Sequence, residues 1–174
     1  MTDAILGLGT NLGDRVAYLA EALDLLGRDE GIHVKQVSRV YRSAPWGVED
    51  QPDFLNLCAR IDTFYTPEDL LRACKRVEAA LGRVRRERWG PREIDVDVEL
   101  MEGVDIDTPE LTVPHLKLTE RRFVLDPLSE LAPDWMLDGV SVTDLAAALR
   151  HDMPDQVCEP DEKATQRLSE LRGS

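Results

Sequence analysis

The chain has 174 residues, 43% hydrophobic and 32% charged, which suits one globular domain with a substantial core. A net charge of −13 excludes a general nucleic-acid or membrane-surface binder, since polyanions are repelled outside a local basic patch. Cys58, Cys74 and Cys158 lack paired spacing, and His33, His115 and His151 are scattered. No zinc constellation, long apolar run or signal-peptide layout emerges, so a soluble, cytoplasmic protein with reduced cysteines is expected.

Ala4 to Leu8 reads as a short apolar strand, followed by a glycine-rich stretch from Gly7 to Gly13. The glycine spacing is one residue longer than the dinucleotide-binding fingerprint, and there is no P-loop pattern. A tight strand-to-helix turn with Asp14 at the helix start is the favoured reading. Val16, Leu19, Ala20, Leu23 and Leu26 recur at helical spacing up to Gly27. Ile32 to Tyr41 reads as a strand in which the out-of-phase Val37 permits a bulge. Residues 43–53 are punctuated by Pro and Gly as a binding loop or lid is. Phe54 to Thr63 alternates, with Leu55, Leu57, Ala59 and Ile61 on one face and Phe54, Asn56, Cys58 and Arg60 on the other. An aromatic and an amide on the second face suit a flat heterocycle, and equally suit an ordinary covered sheet. Thr66 and Pro67 open a second helix, carrying Leu70, Cys74, Val77 and Leu81 inward and ending at Gly82.

The stretch from Gly82 to Leu100 carries the strongest chemical signal. Arg83, Arg85, Arg86, Arg88 and Arg92 fall within ten residues, beside Trp89, in a chain that is otherwise acidic. Ile94 to Leu100 then alternates, so Ile94, Val96, Val98 and Leu100 are expected to face the core and Asp95, Asp97 and Glu99 to share the other face. Same-face neighbours lie roughly 6.5–7 Å apart, within reach of a common cation. Hard oxygen ligands beside clustered arginines suit Mg²⁺ with a polyphosphate, most simply ATP. The plainer alternative is a solvated acidic edge strand with charge-balancing arginines.

Beyond it, Leu111 to His115 is extended, Arg121 to Leu128 begins a short helical or irregular segment, and Ser141 to Arg150 is a short helix. Residues 1–150 are expected to form the single working domain, with 151–174 an acidic tail or surface helix. The order strand, helix, strand, strand, helix, strand predicts an α+β fold. This is a ferredoxin-like βαββαβ core, an antiparallel sheet with helices packed on one face, plus C-terminal additions.

Arg88 through Val98, with its Trp-Gly-Pro-Arg and Asp-x-Asp elements, resembles the signature of the 6-hydroxymethyl-7,8-dihydropterin pyrophosphokinases of folate biosynthesis. So do Gly9 to Gly13, Tyr41 to Ser43, Asp50 to Asn56, Gly82 to Arg85, Leu111 to His115 and Phe123 to Leu128, in the family's order. The resemblance implies a kinase that moves the β,γ-diphosphate of ATP to the pterin's hydroxymethyl oxygen, releasing AMP. It further implies two Mg²⁺ ions on Asp95 and Asp97, and places Arg83 and Arg92 at the transition state. Arg85, Arg88, Arg121 and His115 would contact phosphate or nucleotide, with Glu78 and Thr112 at nucleotide positions. Phe54 and Phe123 would sandwich the pterin, Asn56 hydrogen-bond it, Trp89 serve in a lid, and Ser43 and Ala44 complete its pocket. Here Phe54 replaces a common Tyr, Lys75 a frequent Gln and Leu116 a common aromatic. The partners expected are ATP and the pterin alone, bound by a monomer. Two other classes fit the residues less fully: another Mg²⁺-dependent nucleotide phosphotransferase, and a non-catalytic ferredoxin-like ligand-binding or regulatory domain.

Overall fold

The computed structural model describes residues 1–45, 50–82 and 94–173. Strand β1 (Thr2–Thr10) leads into helix α1 (Arg15–Arg28), whose first turn is capped by Asp14 Oδ1 accepting from the Ala17 N–H at 3.2 Å. Strands β2 (Ile32–Val37), β3 (Tyr41–Ser43) and β4 (Phe54–Thr63) precede helix α2 (Pro67–Ala80), which has the expected Thr66 cap and Pro67 in its first turn. Strand β5 (Asp95–Met101) follows, then the paired strands β6 (Ile106–Asp107) and β7 (Thr112–Val113). Helix α3 (Arg122–Leu131), the hairpin of β8 (Met136–Leu137) and β9 (Val140–Ser141), and helix α4 (Val142–Asp152) come next. Strand β10 (Cys158–Pro160) and helix α5 (Glu162–Leu171) end the described chain.

The main sheet is antiparallel in the order β10, β3, β4, β1, β5, with β2 also paired to β4. The single strand expected over Ile32 to Tyr41 is therefore two. Val34 faces Ile61 and Gln36 faces Arg60, so Lys35 is the extra residue of a bulge, which lets Val34 and Val37 point to the same core. Ser38 then turns the chain, donating its N–H to the Cys58 carbonyl at 2.9 Å and accepting the Cys58 N–H on its hydroxyl at 3.0 Å.

Leu6, Leu57, Ile61, Val96 and Val98 form one core with α1 and α2, the alternation expected of β4. The two helices of the expected core, α1 and α2, share this face, and the second half of the chain adds a layer on the other. Ile5, Cys58 and Leu100 project from the opposite face and are covered by Val124, Leu125 and Leu128 of α3, with Val142 and Ala146 of α4 behind. Leu100 changes face because β5 carries its own bulge. Leu6 pairs with Val98 but Ile5 pairs with Leu100, leaving Glu99 as the extra residue. Apolar side chains left on both faces of a sheet require a layer on each.

Residues 151–174, expected as a loose tail or surface helix, supply a sheet strand and a helix. β10 pairs with β3, and α5 places Ala164 and Leu168 in the first core beside α1. Cys58 and Cys74 are buried and unbridged. Among the described residues no helix is long and apolar enough to cross a membrane.

Candidate active site

Helix α3 covers only the end of its sheet face that carries Ile5, Cys58 and Leu100. The uncovered end is a pocket lined by side chains from five segments. Its floor consists of two rows across three strands. Asn56, Gly9 and Asp95 are paired in one row, and Cys58, Gly7 and Asp97 in the next. A glycine stands in the middle of each row, and this is what opens the trough between the β4 and β5 side chains. A Cβ on Gly9 would meet Asn56 Oδ1 at 2.9 Å, and one on Gly7 would meet Glu99 Oε1 at 2.6 Å. The glycine stretch read as a turn is thus two structures. Gly13, at φ +67°, makes the turn, while Gly7 and Gly9 lie in the strand as the pocket floor.

The walls come from both halves of the chain. Ser43 and Ala44 close one side, and Phe54, paired with Ser43, stands at the start of β4. Arg121 and Phe123 enter at the head of α3, with the Arg121 guanidinium 5.4 Å from the Phe123 ring centre. Asn56 is buried and its amide is fixed by donation from Nδ2 to Ser43 Oγ at 2.7 Å. The loop after β3 is held in turn by Asn11, whose Nδ2 donates to Gln51 Oε1 at 2.8 Å and to the Pro52 carbonyl at 3.0 Å. Arg15 donates to the Asp53 carbonyl at 2.8 Å, and Arg42 pairs with the Asp53 carboxylate at 3.0 Å.

Electrostatically the pocket floor is a concentration of negative charge. Asp97 is pushed up to about 6, first by burial, then by the charges of Asp95 and Glu78. Glu99 is raised well above the usual carboxylate range by burial and by Asp97. Among the described residues no group of three or more His, Cys, Asp or Glu side chains converges on a metal position. Asp95 and Asp97 are a two-carboxylate set, the number that suits Mg²⁺ when substrate oxygens and water complete its shell. Their mutual repulsion is what a cation between them relieves, so the donors fit the ion.

Of the residues singled out in the sequence, Ser43, Ala44, Phe54, Asn56, Asp95, Asp97, Arg121 and Phe123 line this one pocket. Glu78, Thr112 and His115 do not. Glu78 is buried under β5, where Oε2 accepts the Val96 N–H at 2.8 Å and Oε1 accepts from Lys75 at 3.2 Å. That bond fixes the backbone between the two aspartates. Thr112 donates to Asp107 at 3.0 Å and, with His115, lines a neighbouring groove beyond the end of β5. The His115 N–H donates to the Glu99 carbonyl at 2.9 Å, and burial followed by the Arg121 charge lowers its imidazole pKa. Arg83, Arg85, Arg88, Trp89 and Arg92 lie outside the described residues, as do positions 46–49 of the second loop. Sequence reasoning missed Gly7 and Gly9 as floor residues. The signal was their two-residue spacing in a strand, which puts both on one face. Cys58 shared a face with Phe54 and Asn56, and Glu99 with Asp97, so both were within reach of the same alternation.

The chain matches, over residues 5–133, the family model described as 7,8-dihydro-6-hydroxymethylpterin-pyrophosphokinase. It is 50% identical over 149 residues to a 2-amino-4-hydroxy-6-hydroxymethyldihydropteridine pyrophosphokinase of Methylorubrum extorquens, covering 86% of this chain and 94% of that one. The Bacillus subtilis protein of the same name is 44% identical over 128 residues, covering 74% of this chain and 77% of its own. Among solved structures, a Plasmodium falciparum HPPK-DHPS with pteroate superposes with a TM-score of 0.71 at 16% identity, over 88% of this chain. The match spans 43% of that longer chain and bears on the fold.

Proposed function

The chain belongs to the 7,8-dihydro-6-hydroxymethylpterin-pyrophosphokinase family, and from that premise we propose how its pocket performs the family's reaction. It is an ATP-dependent diphosphokinase of folate biosynthesis that converts 6-hydroxymethyl-7,8-dihydropterin to its diphosphate and releases AMP. The observation that carries this is the pairing of Asp95 and Asp97 with an aromatic and amide pocket, Phe54, Phe123 and Asn56, across the glycine-floored trough.

The hydroxymethyl oxygen forms a bond to the β-phosphorus of ATP and loses its proton to solvent, while the bond from that phosphorus to the AMP oxygen breaks and AMP leaves. The residues act by positioning and electrostatics. Phe54 and Phe123 offer aromatic surfaces to the pterin, and Asn56, held by Ser43, presents its amide in a set orientation. Asp95 and Asp97 would hold the two Mg²⁺ ions of this reading, whose chemistry there would be to neutralise triphosphate charge and so ease the approach of an oxygen nucleophile. Glu78 keeps the two carboxylates in place through the Val96 N–H. Arg121 lines the same pocket, and its charge acts on Asp97 and Glu99. The roles of Arg83 and Arg92 at the transferred phosphates, of Arg85, Arg88, Thr112 and His115 at the nucleotide, and of Trp89 over the pterin belong to the same proposal. So does reading β1 to β5 with α1 and α2 as a ferredoxin-like core. A cytoplasmic monomer acting on small molecules completes the reading, and the net charge of −13 argues against a nucleic-acid partner.

Incubation with ATP, Mg²⁺ and 6-hydroxymethyl-7,8-dihydropterin is expected to yield AMP and the pterin diphosphate in equal amounts. AMP formation should require the pterin, stop on chelation of Mg²⁺, and collapse in Asp95→Ala. Folded, ATP-binding protein that forms no AMP would overturn the assignment.

A further inference from the structure

We propose that Glu99 is a positioning residue for the pterin, its Oε2 accepting a hydrogen bond from an N–H of the ring system. The proposal rests on the diphosphokinase reading. Glu99 lines the same pocket as Phe54, Asn56 and Phe123 and is 2% exposed. Its Oε2 is buried with no hydrogen-bond partner among the described residues. A buried carboxyl oxygen without a donor is costly, and proteins keep few of them.

Two features show that the fold accommodates this side chain rather than tolerating it. The β5 bulge places Glu99 as the extra residue between Val98 and Leu100, turning it toward the pocket. Across from it stands Gly7, where any larger residue would collide with Glu99 Oε1. Asp95, Asp97 and Glu99 do not form a three-carboxylate metal group among the described residues. A dihydropterin carries several N–H donors around its rings. A carboxyl oxygen in a closed pocket rewards a ligand N–H strongly, because the group otherwise stays unsatisfied.

The test compares Glu99→Leu and Glu99→Gln with the wild-type chain, measuring kcat and KM for each substrate. Calorimetric binding of the pterin is measured in the presence of Mg²⁺ and a non-hydrolysable ATP analogue. Glu99→Leu should raise KM and Kd for the pterin tenfold or more, with KM for ATP and kcat within twofold. Glu99→Gln retains a carbonyl acceptor and should stay within threefold for the pterin. The thermal midpoint should hold or rise in Glu99→Leu, because an unpaired buried polar group has gone. Wild-type pterin affinity in Glu99→Leu would overturn the proposal, as would a parallel loss of ATP binding and kcat in both variants. If the wild-type chain itself makes no pterin-dependent AMP, the diphosphokinase reading fails and carries this proposal with it. That result is distinct from an active enzyme whose variants are unaltered.

Discussion

Asp97 illustrates how the site is built against stability. Burial and two neighbouring carboxylates raise it to about 6, above its ordinary 3.8. The folded state therefore holds a proton that the unfolded chain has already released between those values. This contribution stabilises the metal-free protein as pH falls from above 6 toward 4, and is lost as pH rises through 6. Asp97→Asn removes the charge at nearly constant shape. In metal-free protein at pH 7 it should gain about 1–3 kcal/mol of stability relative to wild type, the worth of a shift of this order. At pH 4 the gain should shrink toward zero. AMP formation should fall by a factor of about 100 or more, since the metal–triphosphate would lose a carboxylate. Urea unfolding at the two pH values, paired with the AMP assay, checks both signs. An unchanged or lower stability at pH 7 would show that the repulsion is already relieved in the fold. His115 titrates in the other direction: burial and Arg121 lower its pKa, which favours the neutral imidazole.

Strands β1 and β5 act as a matched pair of elements. Each row of the pocket floor needs a residue without a side chain on β1, and the β5 bulge needs space on the same face for Glu99. Gly7→Ala brings a Cβ to 2.6 Å of Glu99 Oε1, so the carboxyl must move or the strands must part. A cost of about 1–3 kcal/mol is expected from overpacking. Combining Gly7→Ala with Glu99→Ala should recover at least about 0.5 kcal/mol of that, as coupled neighbours do. Strict additivity in chemical denaturation would show that the clash is relieved elsewhere. The helix starts were legible at this scale because Asp14 and Thr66 carry their own capping chemistry. The break between β2 and β3 was not. Val37 betrayed a bulge, but Ser38 bonding both ways to Cys58 requires a partner twenty residues away.

In the whole molecule, the end of the chain closes the structure around its beginning. β10 pairs with β3, next to the pocket wall at Ser43, and Arg122 at the head of α3 donates to the Gln156 carbonyl at 2.6 Å. The C-terminal segment thereby touches both segments that bring Ser43 and Phe123 to the pocket. α5 adds Leu168 to the core beside α1, and Arg167 forms a paired contact with the Asp14 cap at 2.7 Å. Leu168→Ala should cost about 2–5 kcal/mol, the range for a buried Leu, seen as a lower midpoint in urea. A cost under about 0.5 kcal/mol would mean that α5 is only laid on the surface. Arg167→Ala should leave the urea midpoint nearly unchanged, because an exposed ion pair is screened by solvent.

The sequence alone determined the helical period of α1 and α2, the faces of β4, and the placing of Asp95 and Asp97 on one face of β5. Those features depend on neighbours two to four residues apart, which local geometry fixes. Its ordered motifs also carry the signature of the family to which the chain belongs. Only the tertiary structure decided which residues share one pocket. It put Gly7 between Cys58 and Asp97, sent Glu78 beneath the strand as a brace, and moved Leu100 to the second face through a bulge. It also covered that face with α3 and α4 and drew the C-terminal segment into sheet and core. Strand register and layer order arise from contacts between residues far apart in the chain, and one inserted residue reverses which side of a sheet a side chain faces.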